Sequence, residues 1–394
     1  MSEVITKQDA NRLRWAYFGY FAVLALIMPY LAVFLDALGF KSRDIGELIA
    51  ISTLCRIVGP PLWATYCDYK GKRLPAIRVG VFATFVLFFL LNQVTSFAGV
   101  ALVMALISFF WSAVLPQLEV VTLNTLGAEQ HKYSGIRAAG SMGFIVVALV
   151  AAGLIDWGGK ASFPLLAAFL MIPLMVSVVR LREIRQLSQQ VVNGASASLV
   201  QNIFKRQFLS FMAASILLQL SFAPFYAFFA LYLAQLGYAP FTVGAIIALG
   251  VVAEVVMFLV ASKLLVRFRL SRVLAVCMAL TAVRWWLVAD FGATLWLLAL
   301  SQLLHAFSFA LQHSAAMRFL HRHFPKSQQS RGQAIYISVA WGGGAAIGAW
   351  VSGITWQDGA GASFTYSLAA IAALIGMVCA LGIARDKETI SSSQ

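Results

Sequence analysis

The sequence predicts an all-α integral membrane protein, with twelve transmembrane helices in two pseudo-symmetric six-helix bundles. Composition, the number of apolar stretches and an internal repeat support this prediction. Of the 394 residues, 61% are apolar and only 11% are charged, and the mean hydropathy is +0.84. Soluble domains carry about 25% charged residues, so the composition excludes a water-soluble globule and favours a chain dissolved in a lipid bilayer.

The apolar residues are grouped into stretches long enough to cross a membrane. A helix needs about 20 apolar residues to cross the hydrocarbon core. Twelve such stretches, numbered here as helices 1 to 12, lie at approximately 15–38, 45–66, 75–95, 98–122, 137–155, 162–179, 208–235, 242–265, 271–290, 294–318, 332–354 and 364–384. They leave no room for a large soluble domain between them.

The distribution of basic residues predicts the orientation in the membrane. The 29 Lys and Arg residues outnumber the 15 Asp and Glu residues, a balance that in a soluble protein would suggest nucleic acid. With both termini cytoplasmic, nearly all basic residues fall on the cytoplasmic side, whereas the opposite side holds only Lys41, Arg43 and Lys160. This positive-inside bias predicts a multi-pass protein of a bacterial-type inner membrane, with the lipid bilayer rather than nucleic acid as its partner.

An internal repeat divides the helices into two sets. The segment YLAQLGYAPFTVGAIIAL matches FLDALGFKSRDIGELIAI, which places Gly237 on Gly39 and Gly244 on Gly46. Two similar halves are typical of transporters that bind a small-molecule substrate between them near the middle of the membrane.

The predicted domain boundaries follow from the longest hydrophilic stretch. That stretch contains SQQVVNGASAS, a composition typical of a linker. The sequence therefore predicts an N-terminal bundle at 1–180, a cytoplasmic linker at 181–207, and a C-terminal bundle with a short cytoplasmic tail at 208–394.

Five charged residues lie inside or at the end of predicted membrane helices: Arg56, Glu119, Arg137, Glu254 and Arg284. A charge at the centre of a membrane helix costs about 2.5–3.5 kcal/mol on the insertion scale and by default marks a functional site. Alternatively the charges only pair with one another to stabilise the bundle, and the position of Arg137 at a helix end is also explained by the positive-inside bias. On helix 10, His305 shares a face with Ser301, Ser308 and Gln312, which favours a position facing a polar cavity.

Aromatic residues follow one face of helix 7 and one face of helix 1. Phe225, Phe228 and Tyr232 lie on the first face and Tyr20 on the second. Such faces usually serve packing, but beside a cavity they would hold the apolar body of a substrate.

The signs of the buried charges indicate the kind of substrate. Three arginines against two glutamates make the predicted cavity electropositive, so a carboxylate is favoured over a cation. Glu254 and Glu119 are the only deep carboxylates, and burial favours the neutral form of a carboxylate that lacks full pairing, which suits a proton carrier. The scattered cysteines predict neither a disulfide framework nor a metal site, and no cofactor is expected beyond the proton as coupling ion.

The loop CDYKGKR at 67–73 resembles the signature loop of the major facilitator superfamily, with Asp68, Gly71, Lys72 and Arg73 at its acidic, glycine and basic positions. In that family the loop forms part of the cytoplasmic gate.

The second half of the chain resembles the phenylpropionate permease branch, which is similar to the lactose and nucleoside proton symporters. The segments that carry this resemblance are LGVVAEVVMF, AVRWW, LLHAF, HSAAMRF and SVAWGGGAAIGA. The resemblance covers the whole chain and implies a major facilitator fold and a monomer.

The resemblance also implies roles for individual residues. Relative to the lactose-type pattern, Glu254, Arg284 and His305 match the charged residues of helices 8, 9 and 10, and Glu119 with Arg137 matches the substrate-binding pair. One departure is Ser308, where that pattern has the proton-bearing glutamate. Glu254, Glu119 or His305 must replace it in proton coupling, or the protein is a uniporter.

The first hypothesis is a proton-coupled secondary transporter that imports a small organic acid, such as an aromatic carboxylate of the phenylpropionate type, by alternating access. Arg284 or Arg137 is expected to bind the carboxylate, with Arg56 and Glu119 in the same site, the aromatic residues of helices 1 and 7 to hold the body, and Glu254 with His305 to carry the proton. A sugar or nucleoside symporter and an exporter of amphipathic compounds are the alternatives. An enzyme would need clustered polar chemistry that the sequence lacks.

Overall fold

The computed structural model describes residues 6–182, 196–325 and 328–383. Within these ranges, twelve helices are long and apolar enough to cross a membrane. We number them α1 Lys7–Ala37, α2 Ser42–Lys70, α3 Leu74–Leu91, α4 Phe97–Leu126, α5 Tyr133–Gly158, α6 Lys160–Arg180, α7 Arg206–Gln235, α8 Pro240–Arg267, α9 Leu270–Phe291, α10 Leu295–His323, α11 Gln329–Gly359 and α12 Ala362–Leu381. Residues 183–195 of the predicted linker lie outside the described residues, and a short helix, Ser196–Ile203, precedes α7.

Four of the spans are not regular α-helices along their whole length: α6 begins with a 3-10 turn at Lys160–Ser162, and α4, α10 and α11 are interrupted in their interior. In α4 the regular helix ends at Trp111 and resumes at Val114. In α10 a π-helical turn occupies Ala306–Leu311, and in α11 another occupies Ile337–Gly344. A π turn contains an extra residue, so the side chains after it are rotated relative to those before it, and such turns are frequent at functional sites.

The helices pack mainly within the first six and within the last six. In the first set α1 packs on α5 and α6, and in the second set α12 packs on α7 and α9. The two sets meet where α2 packs on α11, α5 on α8, and α1 on α7. These three contacts form the interface between the two sets.

The repeated glycines occupy equivalent positions in the two sets. Gly39 and Gly237 end the turns after α1 and α7 with φ of +88° and +83°, a left-handed conformation that glycine adopts without strain. Gly46 in α2 and Gly244 in α8 lie at close crossings of the two sets, against α11 and α5 respectively. The sequence repeat therefore marks the same turn and the same close helix contact twice.

A hydrogen-bonded contact joins the two sets at the end of the bundle opposite the chain termini. The backbone N–H and the hydroxyl of Ser42, at the start of α2, donate to the Asp358 carboxylate over 3.0 and 2.7 Å. Lys41 lies 3.5 Å from the same carboxylate. Asp358 and its neighbour Gln357 have φ of +54° and +49°, so the backbone of this turn is held in a strained conformation by the contact.

The crossing of α2 and α11 leads to a prediction of stability. A Cβ atom added at Gly46 would lie 2.6 Å from the Ala349 carbonyl oxygen, so Gly46→Ala forces the helices apart, at about 1–3 kcal/mol for overpacking. We expect a lower unfolding temperature of the purified protein in detergent. The matched control is Gly153→Ala in α5, where an added Cβ meets no atom within 4 Å. Equal unfolding temperatures for the two variants would contradict the proposed close packing.

Candidate functional site

The second set of helices holds a buried cluster of charged and polar side chains around Arg284. Arg284, in the middle of α9, is completely buried. Its guanidinium lies 2.8 Å from Nδ1 of His305 and donates to Oε1 of Gln302 over 3.3 Å. On the other side of the imidazole, Nε2 lies 3.5 Å from a carboxylate oxygen of Glu254 in α8. Three helices thus contribute to one line of groups that runs from Arg284 through His305 to Glu254.

The geometry determines which ring nitrogen carries the proton when His305 is neutral. A guanidinium has only donors, so Nδ1 of His305 must accept the hydrogen bond from Arg284. The proton then resides on Nε2, the nitrogen that faces Glu254. His305 is therefore oriented as a donor towards the carboxylate.

Aromatic rings surround the guanidinium of Arg284. Its central carbon lies 4.2, 4.5 and 5.2 Å from the ring centroids of Trp285, Phe225 and Phe222 respectively. Ring faces attract a cation electrostatically and also exclude water from it. These contacts compensate part of the cost of burying the charge.

The position of His305 follows from the local structure of α10. His305 immediately precedes the π turn at Ala306–Leu311, and Ser308 within that turn donates to the Leu304 carbonyl over 3.0 Å. The side chains of the predicted polar face, Ser301, His305, Ser308 and Gln312, are all buried. Ser308 thus makes a backbone contact within its own helix.

The first set of helices contributes a second group of charges. Glu119 in α4 accepts a hydrogen bond from the Tyr133 hydroxyl over 3.4 Å and lies within electrostatic range of Arg137 in α5. The Arg137 guanidinium lies 4.0 Å from the ring centroid of Phe21 and 5.6 Å from that of Tyr17. The predicted pair Glu119 and Arg137 is thus placed together beside the aromatic residues of α1.

Longer-range electrostatic interactions link the two groups across the interface between the halves. Arg137 lies within electrostatic range of Glu254 as well as of Glu119. Arg56 in α2 lies within range of Tyr20 and Tyr226, and Tyr226 within range of Glu254. All five charges predicted from the sequence therefore surround one interior region that both halves line.

Arg56 differs from Arg284 in its surroundings. Arg56 is exposed and donates to the hydroxyl of Thr53 over 3.1 Å. Arg284 is fully buried and is held by His305, Gln302 and three aromatic rings. Arg56 can consequently contact a solute without losing buried partners.

The predicted aromatic residues fall into two pairs. Tyr20 stacks on Trp111 with ring centroids 4.4 Å apart, and Phe225 lies over Arg284, so both belong to the charged region. Phe228 instead stacks on Trp356 at 4.7 Å, and the Tyr232 hydroxyl donates to the Val288 carbonyl over 3.3 Å. These last two lie in the packed interior of the second half.

Several members of the region were not predicted from the sequence. Gln302 precedes His305 by three residues, so its place on the same helical face could have been found from spacing. Tyr226 follows Phe225 directly and lies off the predicted aromatic face, and nothing in the periodicity distinguishes it. It nevertheless lies within electrostatic range of Glu254, Arg284 and Arg56.

The signature-like loop between α2 and α3 forms a small polar network. Gly71 ends α2 with φ of +63°, and Lys72 beside it is exposed. Arg73 donates to Asp68 over 2.8 Å and to Gln117 in α4 over 2.6 Å. The loop therefore joins the end of α2 to the second half of α4. Its role in a cytoplasmic gate stays a prediction.

A family model described as the MFS_1 like family matches residues 10–368. The chain belongs to this family. The probable 3-phenylpropionic acid transporter of Escherichia coli (strain K12) is 29% identical over 376 residues, which cover 93% of this chain and 97% of the relative. The maltose permease of Geobacillus stearothermophilus is 26% identical over 391 residues, covering 95% and 94%.

Solved structures confirm the fold of this MFS_1-like chain. The crystal structure of the nucleoside transporter NupG has a TM-score of 0.83 at 17% identity, covering 95% of this chain and 98% of that one. A D-xylose-proton symporter has a TM-score of 0.70 at 13% identity, covering 94% and 95%. The predictions of twelve membrane helices, of the superfamily and of a transporter rather than an enzyme are confirmed, and the chain is a multi-pass secondary transporter.

The Arg284 cluster leads to a second prediction of stability. Gln302→Leu removes the amide that accepts from Arg284, which leaves a buried donor unpaired at about 1–3 kcal/mol. We expect a lower unfolding temperature for Gln302→Leu, and a smaller decrease for Gln302→Glu, which keeps an acceptor. If both variants have the same unfolding temperature as the wild type, the amide does not stabilise the guanidinium.

Proposed function

We propose that the protein is a proton-coupled symporter that imports a small organic acid, an aromatic carboxylate of the phenylpropionate type, by alternating access. The observation that carries the proposal is the convergence of three arginines and two glutamates on one interior region lined by both halves. The 29% identity to a probable 3-phenylpropionic acid transporter over nearly the full length of both chains supports this substrate class.

In this proposal the carboxylate of the substrate binds at Arg56 or Arg137. Sequence reasoning assigned it to Arg284 or Arg137, but the two terminal nitrogens of the Arg284 guanidinium already bond to His305 and Gln302, and only its buried Nε lacks a partner among the described residues. Arg56 is exposed, and Arg137 makes ring contacts that a bound anion would not disturb. An arginine binds a carboxylate through two parallel hydrogen bonds, which also orients the substrate.

The aromatic body of the substrate is proposed to lie between the halves, against Tyr20 and Trp111 on one side and Phe225 and Tyr226 on the other. Tyr20 and Tyr226 both lie within electrostatic range of Arg56, so an acid held there would have its ring near these faces. Offset and edge-to-face contacts between rings stabilise such an arrangement.

The proton is proposed to bind at Glu254. The serine at position 308 cannot carry it, and Glu254 is the carboxylate faced by the donor nitrogen of His305. Protonated Glu254 is neutral, so the protein can change between its two conformations without an uncompensated buried charge at this position. Arg284 then acts as a positioning residue that fixes the orientation of His305.

The conformational change is proposed to open the end of the bundle that the Ser42–Asp358 contact closes. Rocking of the halves about the midplane would break this contact and separate Gly46 from α11. Release of the two left-handed residues at the turn would offset part of the lost hydrogen bonds.

Replacement of Glu254 tests the coupling. Glu254→Gln keeps the shape of the side chain but cannot exchange a proton, so we expect loss of 3-phenylpropionate accumulation in vesicles under an imposed proton gradient, with counterflow retained. Glu47→Gln, at an exposed pair with Arg43 in α2, is the matched control and should accumulate substrate like the wild type. Unchanged accumulation by Glu254→Gln would remove this residue from coupling.

Replacement of Arg56 tests the charge of the substrate. A ligand that binds only the folded protein raises its free energy of unfolding by mass action, by about 2.7 kcal/mol at a concentration of 100 times the Kd, and so raises its unfolding temperature. We expect such a shift with 3-phenylpropionate but not with 3-phenylpropanol, its neutral counterpart, and a smaller shift in Arg56→Gln than in Arg56→Lys. Arg43→Gln, at an exposed position of the same helix, serves as the control.

The same assay decides between this proposal and the sugar alternative, which the 26% identity to a maltose permease favours. A shift with maltose or uridine and none with 3-phenylpropionate would contradict an organic acid as the substrate.

A further inference from the structure

A cavity of about 500 Å³ lies away from the central charged region, where the first turns of α1 meet the last turns of α6. Asn11, Arg12 and Trp15 of α1 and Val176, Ser177 and Arg180 of α6 line it. These residues belong to the end of the bundle that carries the chain termini, so the cavity lies where the bundle meets the membrane surface. Nothing in the proposed transport cycle uses it.

The charges around this cavity favour an anion. Arg12 and Arg180 line it, and Arg14 lies two residues along α1, where it donates to Asn11 over 2.8 Å. The opposing charge is Asp9, which pairs with Arg12 at 2.8 Å. Three cations against one carboxylate leave a positive local charge.

The end of α6 would normally oppose an anion, because the last carbonyl groups of a helix carry partial negative charge. Here Arg78 of α3 donates to the carbonyls of Val178, Val179 and Leu181 over 3.1–3.3 Å. This bonding neutralises the helix end beside Arg180. The cavity is therefore more favourable to an anion than its position on a helix C-terminus would suggest.

The apolar surroundings indicate a lipid rather than a free ion. Trp15 is 59% exposed at the edge of the cavity, as tryptophans are at membrane interfaces. On α6 the side chains of Phe169, Ile172, Val176 and Val179 are exposed along one side of the helix and lead from the cavity along the membrane-facing surface. This surface offers a path for an acyl chain below an anionic group.

We propose that this cavity binds the phosphodiester headgroup of an anionic phospholipid, with Arg12 and Arg180 contacting the phosphate and the acyl chains lying along α6. Basic pockets between membrane helices are known to hold such headgroups. The site would couple the packing of α1 against α6 to the lipid composition of the membrane, independently of what the protein transports.

Native mass spectrometry of the purified full-length protein tests the proposal with short-chain probes. We expect bound dioctanoyl phosphatidylglycerol on the wild type, much less dioctanoyl phosphatidylcholine, and about a tenfold loss of phosphatidylglycerol affinity for each of Arg12→Gln and Arg180→Gln, because each removes a charge-assisted hydrogen bond. The control pair Arg269→Gln with Arg272→Gln removes two exposed cations from the second half and should bind like the wild type.

Several outcomes would overturn the proposal. Equal affinity of the Arg12 and Arg180 variants and the wild type would exclude these residues, and an equal loss in the control pair would show a nonspecific charge effect. Glycerol 3-phosphate that binds as tightly as the lipid would make the site one for free anions.

Unfolding temperatures without lipid show whether each variant is folded. Ser177→Phe, which fills the cavity without changing its charge, should also abolish lipid binding.

Discussion

The completely buried guanidinium of Arg284 is the constraint on which the arrangement of the second half depends. A charge at this depth is tolerated only if most of its desolvation cost is compensated locally. His305 and Gln302 accept two of its N–H groups, and three aromatic rings cover its face. In turn this arrangement fixes the ring orientation of His305, and through it the contact with Glu254.

The fold could be predicted because the bilayer imposes strong and simple constraints on the sequence. A span needs a long apolar run, and the matching glycines of the two halves, Gly46 and Gly244, recur because both positions require backbones to approach closely. The five charges could also be found from sequence, since ionised groups are rare in membrane helices and therefore conspicuous. Their convergence on one region follows from the two-fold arrangement of the halves.

The finer composition of the site depends on helix rotations that ideal periodicity does not give. Phe225 and Phe228 lie on one predicted face of α7, yet Phe225 contacts Arg284 whereas Phe228 stacks on Trp356 in the interior of the second half. Tyr226, one residue away from the predicted face, lies within electrostatic range of Arg284 and Glu254. The π turns of α10 and α11 also change the directions of the side chains within a single span, and no residue type in the sequence predicts these turns.

The position of Arg137 gives the proposed coupling a physical basis. This cation lies within electrostatic range of Glu119 in its own half and of Glu254 in the other. An anionic substrate bound at Arg137 would screen that cation from Glu254 and place another negative charge nearby, so the protonated form of Glu254 would become more favourable. Linkage requires the reverse as well: a proton on Glu254 would increase the affinity for the anion by the same factor. In the proposed function, substrate and proton would then bind together without direct contact, and coupling would not require an acidic residue at position 308.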